Sequence, residues 1–365
     1  MDHNQHTFGF IGLGLIGGSI ARAIREKYPR SRIIAYTPHP ETVQSAISDS
    51  VVNEAASGPD GSFAGCSVIF LCAPVEYNVV NMKRLMPHLS SGTILTDVGS
   101  TKSDIHRHVR EAGLQKQFIG GHPMTGSERI GYRNSASRLL ENAYYILAPE
   151  PEFPAEKTDF MRDLVEGIGA LPLIVEPERH DFATAAISHL PHVIAASLVN
   201  LVHDSDGEDE LLRTIAAGGF KDITRISSSS PEMWEQICMT NADNIMDLLD
   251  RYIGSLKEFR EQLEKRRAAS LYSFFDEARN YRNSFSNNAP GPIRPMYVLH
   301  VDIADRPGVL AEVVMYLAIA GINIRNIGIE HNREYQEGVL RVECHSSDGL
   351  EKARELLTDR NYKVY

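Results

Sequence analysis

The sequence predicts an α/β chain with a doubly wound, mainly parallel sheet at the front, an all-helical middle and a small βαββαβ unit at the end. Three observations predict it. Up to residue 176, apolar β-prone runs alternate with stretches of helical spacing, which is how a parallel sheet covered by crossover helices reads. From 177 to 282 the strand signals stop and helical periodicity continues. After residues 283–295 (NSFSNNAPGPIRP), a stretch of Pro, Gly, Ser and Asn that reads as a linker, residues 296–365 alternate in the order strand, helix, strand, strand, helix, strand. With 365 residues, 42% of them hydrophobic and 23% charged, the chain has ample length for these globular units.

In order, Thr7–Ile11 reads as a strand, and Gly12-Leu13-Gly14-Leu15-Ile16-Gly17 then opens a helical stretch over 20–26. A second strand follows at Arg32–Tyr36. This glycine spacing between a strand and a helix is the context of the Rossmann-like dinucleotide fingerprint. Gly12 permits the tight turn, Gly14 lets a pyrophosphate approach the backbone, and Gly17 lets helix pack on strand. The N–H groups around Leu15 and Ile16 then face the phosphates. The end of the second strand carries Thr37 where an acid for the adenosine ribose is expected. No arginine follows at once to hold a 2′-phosphate, so the cofactor reading leans to NAD and leaves NADP open.

Further strands are expected at 67–72, 93–98, 118–120, 144–148 and 171–175, with helices between, such as 77–89 and 103–112. Ligands of such a sheet sit at the C-terminal ends of its strands. Three features fall there: Ala73-Pro74 after one strand, Asp97-Val98-Gly99-Ser100 after the next, and His122 within GGHPMTGSE (120–128). Two glycines and Pro123 bracket His122 on a short, stiff loop, and a histidine titrating near neutrality is a natural proton acceptor. Alone, it reads more readily as a turn histidine, and Ser100 as a helix cap.

Residues 180–203 read as one apolar-faced helical stretch interrupted by Pro191, with His189 and His192 on a common face. The acidic partners of a metal site are not evident there. The charge-rich helices over 241–282 read as a packing and dimer-forming domain with a solvated outer face. A formal charge of −11 disfavours nucleic acid or an anionic membrane as partner. No apolar run is expected to span a bilayer, and no secretory signal precedes the first strand. Cys66, Cys72, Cys238 and Cys344 lack CxxC spacing and read as reduced thiols of a cytoplasmic protein.

Taken together, the motifs GLGLIGGS (12–19), DVGSTK (97–102), GGHPMTGSE (120–128), HDFATAAISHLPH (180–192), GGFKDITRI (218–226) and PEMW (231–234) resemble the prephenate dehydrogenase family of tyrosine biosynthesis. DRPGVLAEV (305–313) and GINIRNI (321–327) make the tail resemble an ACT domain. The resemblance implies oxidative decarboxylation of prephenate with hydride transfer to NAD. His122 would be the catalytic histidine at the ring hydroxyl, and Ser100 a serine bonded to both. It places Arg225 on a substrate carboxylate, His192 and Ser127 in the pocket, and His180 in a supporting role. Trp234 would approach the pocket from the partner chain of a homodimer. The cofactor would contact Gly12, Gly14, Leu15, Ile16, Gly17, Thr37, Ala73, Pro74 and Asp97. The tail would bind tyrosine as effector through Asp305, Pro307, Gly308, Val309, Leu310 and Asn323. Arogenate dehydrogenase is the rival within this resemblance, and a ligand sensor without catalysis is the rival outside it.

Overall fold

The structure is a computed structural model that describes residues 3–126, 129–284, 297–304, 306–330 and 338–365. The chain forms two compact units, Met1–Glu261 and Gln262–Tyr365. The division falls inside a helix, ahead of the expected linker, and of that linker only residues 283 and 284 are among the described residues.

The first unit opens with β1 (Thr7–Ile11), α1 (Leu15–Lys27), β2 (Arg32–Tyr36), α2 (Pro40–Ser48) and the two-residue β3 (Glu54–Ala55). There follow β4 (Val68–Leu71), α3 (Val75–Leu85), β5 (Ile94–Asp97), α4 (Ser103–Glu111), β6 (Phe118–Pro123), β7 (Tyr144–Pro149), α5 (Ala155–Gly167) and β8 (Leu171–Ile174). The eight strands order as β3-β2-β1-β4-β5-β6-β7-β8. The order reverses at β1, so the crevice between the C-terminal ends of β1 and β4 is the switch point at which such sheets bind ligands.

The two faces follow from alternation along the strands. Phe8, Phe10, Val68 and Phe70 join Ile20 and Ile24 of α1 in one apolar layer. Ile11, Ile69, Leu71 and Leu95 join Met82 and Leu85 of α3 in the other. Side chains buried like these each contribute about 1.5–3 kcal/mol of transfer free energy.

One sheet expectation needs correcting. All the described pairings in this sheet are parallel except β6 with β7, which is antiparallel, with His122 opposite Ile146. Strand β6 therefore extends to Pro123, and His122 sits in the sheet rather than on a loop. β5 pairs with β6 only through Leu95 and Thr96, so Pro123, which cannot donate, lies beyond the point where a donor is needed on that side.

The helical part comprises α6 (Pro177–Thr184), α7 (Leu190–Ser205), α8 (Leu211–Ile215), α9 (Gly218–Thr224), α10 (Pro231–Thr240) and α11 (Ala242–Glu264). Pro191 does not interrupt it. A π-helical turn, Ala185–His189, joins α6 to α7 into a continuous helix, Pro177–Ser205. The wider turn absorbs the proline, whose ring would clash with the carbonyl four residues earlier in a regular helix. By length and composition alone this helix is apolar enough to cross a membrane, contrary to the sequence expectation. It nevertheless buries His180, Asp181 and His189 among its apolar residues.

The second unit holds α12 (Ala268–Ser284), β9 (Tyr297–Ile303), α13 (Val309–Ile319), β10 (Ile324–Glu330), β11 (Gly338–Cys344) and α14 (Ser347–Thr358). Its antiparallel sheet runs β10-β11-β9, and Val364 bridges to Val301 where a short final strand is expected. Leu299, Val301, Val313, Leu317, Val342 and Leu357 form its core.

Candidate functional site

At the switch point, Gly12 has φ +100, and a Cβ on it would lie 2.7 Å from the Cys72 carbonyl group. Only glycine takes this turn at that distance from β4. A Cβ on Gly14, by contrast, would meet nothing within 4 Å, and no side chain caps the N-terminus of α1. Open space above uncapped N–H groups around Leu15, Ile16 and Gly17 fits a pyrophosphate. Thr37 is half-buried directly after β2. Ala73 N–H donates to Asn78 Oδ1 at 3.1 Å, so this loop is fixed, with Pro74 exposed on it.

Asp97 differs from expectation. It is 1% exposed, its Oδ1 accepts Gly121 N–H at 3.1 Å, and its Oδ2 accepts Gly99 N–H at 2.9 Å and pairs with Lys102. Its oxygens are committed to the chain, so it shapes the loop instead of meeting a cofactor. Lys102 is wholly buried, and burial lowers its pKa although Asp97 acts to raise it. A Cβ on Gly121 would run into the Asp97 carbonyl oxygen, which is why β6 carries glycine immediately before His122.

His122 Nδ1 lies 2.8 Å from Nε2 of His180, and His180 Nδ1 lies 2.8 Å from Oδ1 of Asp181. Asp181 also accepts the backbone N–H groups of Lys102 and Ser103, both at 2.7 Å. Burial, with His180, Lys102 and His189 nearby, holds the His122 imidazole well below the ordinary histidine range. Burial by itself would raise the Asp181 carboxyl, but hydrogen bonds from His180, Ser103 and Lys102 bring it below the usual carboxylate value.

Ser100 is half-buried, and among the described residues it has no hydrogen bond to His122. Nor does it cap α4, whose first N–H groups belong to Asp181. In this structure the hydrogen-bond partner of His122 is His180 rather than Ser100. Ser127 and Asp305 lie outside the described residues.

A second group stands beside the first. Asn241 donates to the Asp181 carbonyl at 2.8 Å and to His189 Nδ1 at 3.1 Å. Burial pushes the His189 pKa down to about 4. The Trp234 ring stacks on His192 at 3.6 Å between centroids and meets His189 edge-on at 5.9 Å. Within its own chain Trp234 thus packs on both histidines, because α10 lies against the segment of the long helix that carries them. His192 Nδ1 donates to the Ser188 carbonyl at 3.0 Å. Its pKa is lowered by burial and then by the charge of Arg225. Arg225 is exposed, and among the described residues it has no ion-pair partner.

Asp181, Asn241 and Lys102 are the site residues that sequence reasoning did not single out, and His189 was noted there only beside His192. Two had a signal: Asp181 follows His180 directly, and Lys102 ends DVGSTK. In the second unit, Pro307, Gly308, Val309 and Leu310 line a concavity of about 540 Å³ together with Arg306. Asn323 is exposed before β10 and does not line it.

Comparison with known proteins accords with this geometry. Residues 20–173 match the family model "Prephenate dehydrogenase, nucleotide-binding domain", and 176–277 match "Prephenate dehydrogenase, dimerization domain". The prephenate dehydrogenase of Bacillus subtilis is 36% identical over 362 residues, covering 99% of this chain and 98% of that one. Among solved structures, a prephenate dehydrogenase from A. aeolicus in complex with hydroxyphenyl propionate and NAD+ superposes with a TM-score of 0.73 at 28% identity, over 77% of this chain and 98% of its own. A Synechocystis arogenate dehydrogenase gives 0.69, also at 28%, over 76% and 99%. The chain belongs to the prephenate dehydrogenase family.

Proposed function

We propose that this member of the family converts prephenate to 4-hydroxyphenylpyruvate and CO2, with NAD as hydride acceptor, in tyrosine biosynthesis. The observation that carries the reading is His122, a neutral imidazole at the C-terminal end of β6 whose Nδ1 bonds to His180 and whose Nε2 has no partner among the described residues. When bound, NAD+ accepts the hydride leaving the ring carbon that bears the hydroxyl. The start of α1 and the space over Gly14 receive the pyrophosphate, with Thr37 at the ribose. His122 accepts the hydroxyl proton as the carbon–oxygen bond gains double-bond character. The bond to the ring carboxylate then breaks, its electron pair aromatises the ring, and the proton returns to the phenol oxygen. Arg225 holds a substrate carboxylate, and His192, braced on Trp234, faces the side chain. His122→Asn should lower kcat by on the order of 10²–10⁴-fold with little change in NAD affinity. Unchanged kcat would remove His122 from this role.

A second reading, arogenate dehydrogenase, is favoured by the Synechocystis neighbour, as similar in identity as the A. aeolicus one. Assaying prephenate and arogenate, each with NAD and NADP, by reduced-nicotinamide absorbance separates the readings. A rate with none of the four pairs would leave only a sensor.

The same proposal makes the enzyme a cytoplasmic homodimer, with the apolar face of Pro177–Ser205 covered by a second copy. Its tail acts as an ACT domain that binds tyrosine in the concavity at Pro307–Leu310 (307–310). Gly308 has φ +89, so Gly308→Val should abolish inhibition by tyrosine and leave the uninhibited rate unchanged. Inhibition that persists would place the effector elsewhere.

A further inference from the structure

We infer that Asp181 and His180 are positioning residues that fix which nitrogen of His122 can accept a proton. The inference rests on the reaction proposed above. Asp181 is fully buried, and both its oxygens accept backbone N–H groups at the start of α4. A carboxylate held in this way can only accept. The His180 nitrogen facing it must therefore carry the proton, since the other tautomer would set a lone pair against Oδ1. With its ring proton on Nδ1, His180 presents a lone pair at Nε2, 2.8 Å from His122 Nδ1. His122 must then donate from Nδ1, which leaves its Nε2 bare and ready to take the substrate proton.

The chain also decides where the new charge is met. Among the described residues, the other ionisable groups that act on the His122 imidazole are Lys102, already paired with Asp97, and His189, whose Nδ1 accepts from Asn241. Neither offers a negative charge. An imidazolium formed at His122 is met by Asp181, one imidazole away. The logic is that of the serine-protease triad, in which a carboxylate sets a histidine tautomer through one ring nitrogen, here with a second histidine interposed.

The test reads the tautomer itself. In the full-length protein at pH 8 without substrate, nitrogen-15 NMR should find His122 protonated on Nδ1, its resonance assigned by its loss in His122→Asn. His180→Leu, which removes the acceptor and leaves the α4 cap intact, should give mixed His122 tautomers. It should also lower kcat by on the order of 10²–10⁴-fold with KM nearly constant. His180→Gln, whose amide oxygen accepts from Nδ1, should recover part of that loss. Asp181→Asn should shift the acid limb of kcat to lower pH, because the imidazolium loses its counter-charge. If Asp181→Asn does not fold, the His180 pair decides. Wild-type His122 protonated on Nε2 would overturn the inference. So would His180→Leu with an unchanged tautomer or unchanged kcat. Full activity in His122→Asn would instead overturn the proposed reaction role while leaving the tautomer readable.

Discussion

The two sides of the site are built on opposite principles. On the β6 side, His122, His180, Asp181, Lys102 and Asp97 are linked by hydrogen bonds or an ion pair, and all but His122 are almost fully buried. On the α9–α10 side, Arg225 stands exposed, and His192 is held by one backbone carbonyl and a stacked indole. A proton acceptor must be in place before substrate arrives, because its direction and tautomer decide the rate. A carboxylate-binding arginine can remain solvated until an anion displaces water. The contrast teaches that rigidity is concentrated where a proton moves and withheld where a charge is recognised.

Breaking the buried side should cost most. Lys102→Met leaves Asp97 in the interior without its cation, and removing one partner of a buried pair costs about 3–5 kcal/mol. Urea denaturation at pH 7 should show a loss of this size. A loss below about 1 kcal/mol would mean that the N–H groups of Gly99 and Gly121 suffice to hold Asp97.

Acid sharpens the comparison next. The folded-state pKa of His189 is about 4, below the 6.5 or so of an unfolded histidine. Between those values the unfolded chain binds the proton and the folded chain does not. Stability is therefore lost as pH falls from about 6.5 to 4, by roughly 3 kcal/mol from this residue. Denaturation of wild type and His189→Gln across that window should show the smaller pH dependence in the variant.

The open side should give the smallest effect, and on a different quantity. Arg225→Ala should raise KM with a transition-state cost of about 1.5–3 kcal/mol, the value of a charged hydrogen bond, without altering the melting temperature. Arg225→Lys should not restore it, since an ammonium lacks the bidentate fork. A drop in melting temperature as large as that of Lys102→Met would erase the distinction between the two sides.

What was legible in the sequence was local. The spacing of Gly12, Gly14 and Gly17 between a strand and a helix gives the switch-point turn, because turn, phosphate approach and helix packing depend on adjacent residues. The end of a strand put His122 at the crevice, and alternation put Phe8, Phe10 and Phe70 in one layer. What stayed hidden was contact between distant segments. His180 lies 58 residues from His122 and bonds to it, and no periodicity encodes that pairing. Ser100 stood close in sequence to the same crevice and was the more obvious partner. The antiparallel return of β7 was equally unreadable, and with it the extension of β6 through Pro123. Trp234 meets His192 only because α10 folds back on the start of α7, just past the π turn.

That turn has a consequence for phase. An α-helix advances about 100° per residue, so the extra residue accommodated by the π turn at Ala185–His189 offsets everything after it by about that angle. His180 and Asp181 lie before the offset, and His189 and His192 lie within or after it. Straightening 185–189 into regular α-helix with every residue kept would rotate the downstream segment by that angle. It would also swing His192 away from Trp234 while leaving His180 on His122. The irregular turn thus acts as a clocking device that lets one helix serve the proton acceptor at one end and substrate recognition at the other.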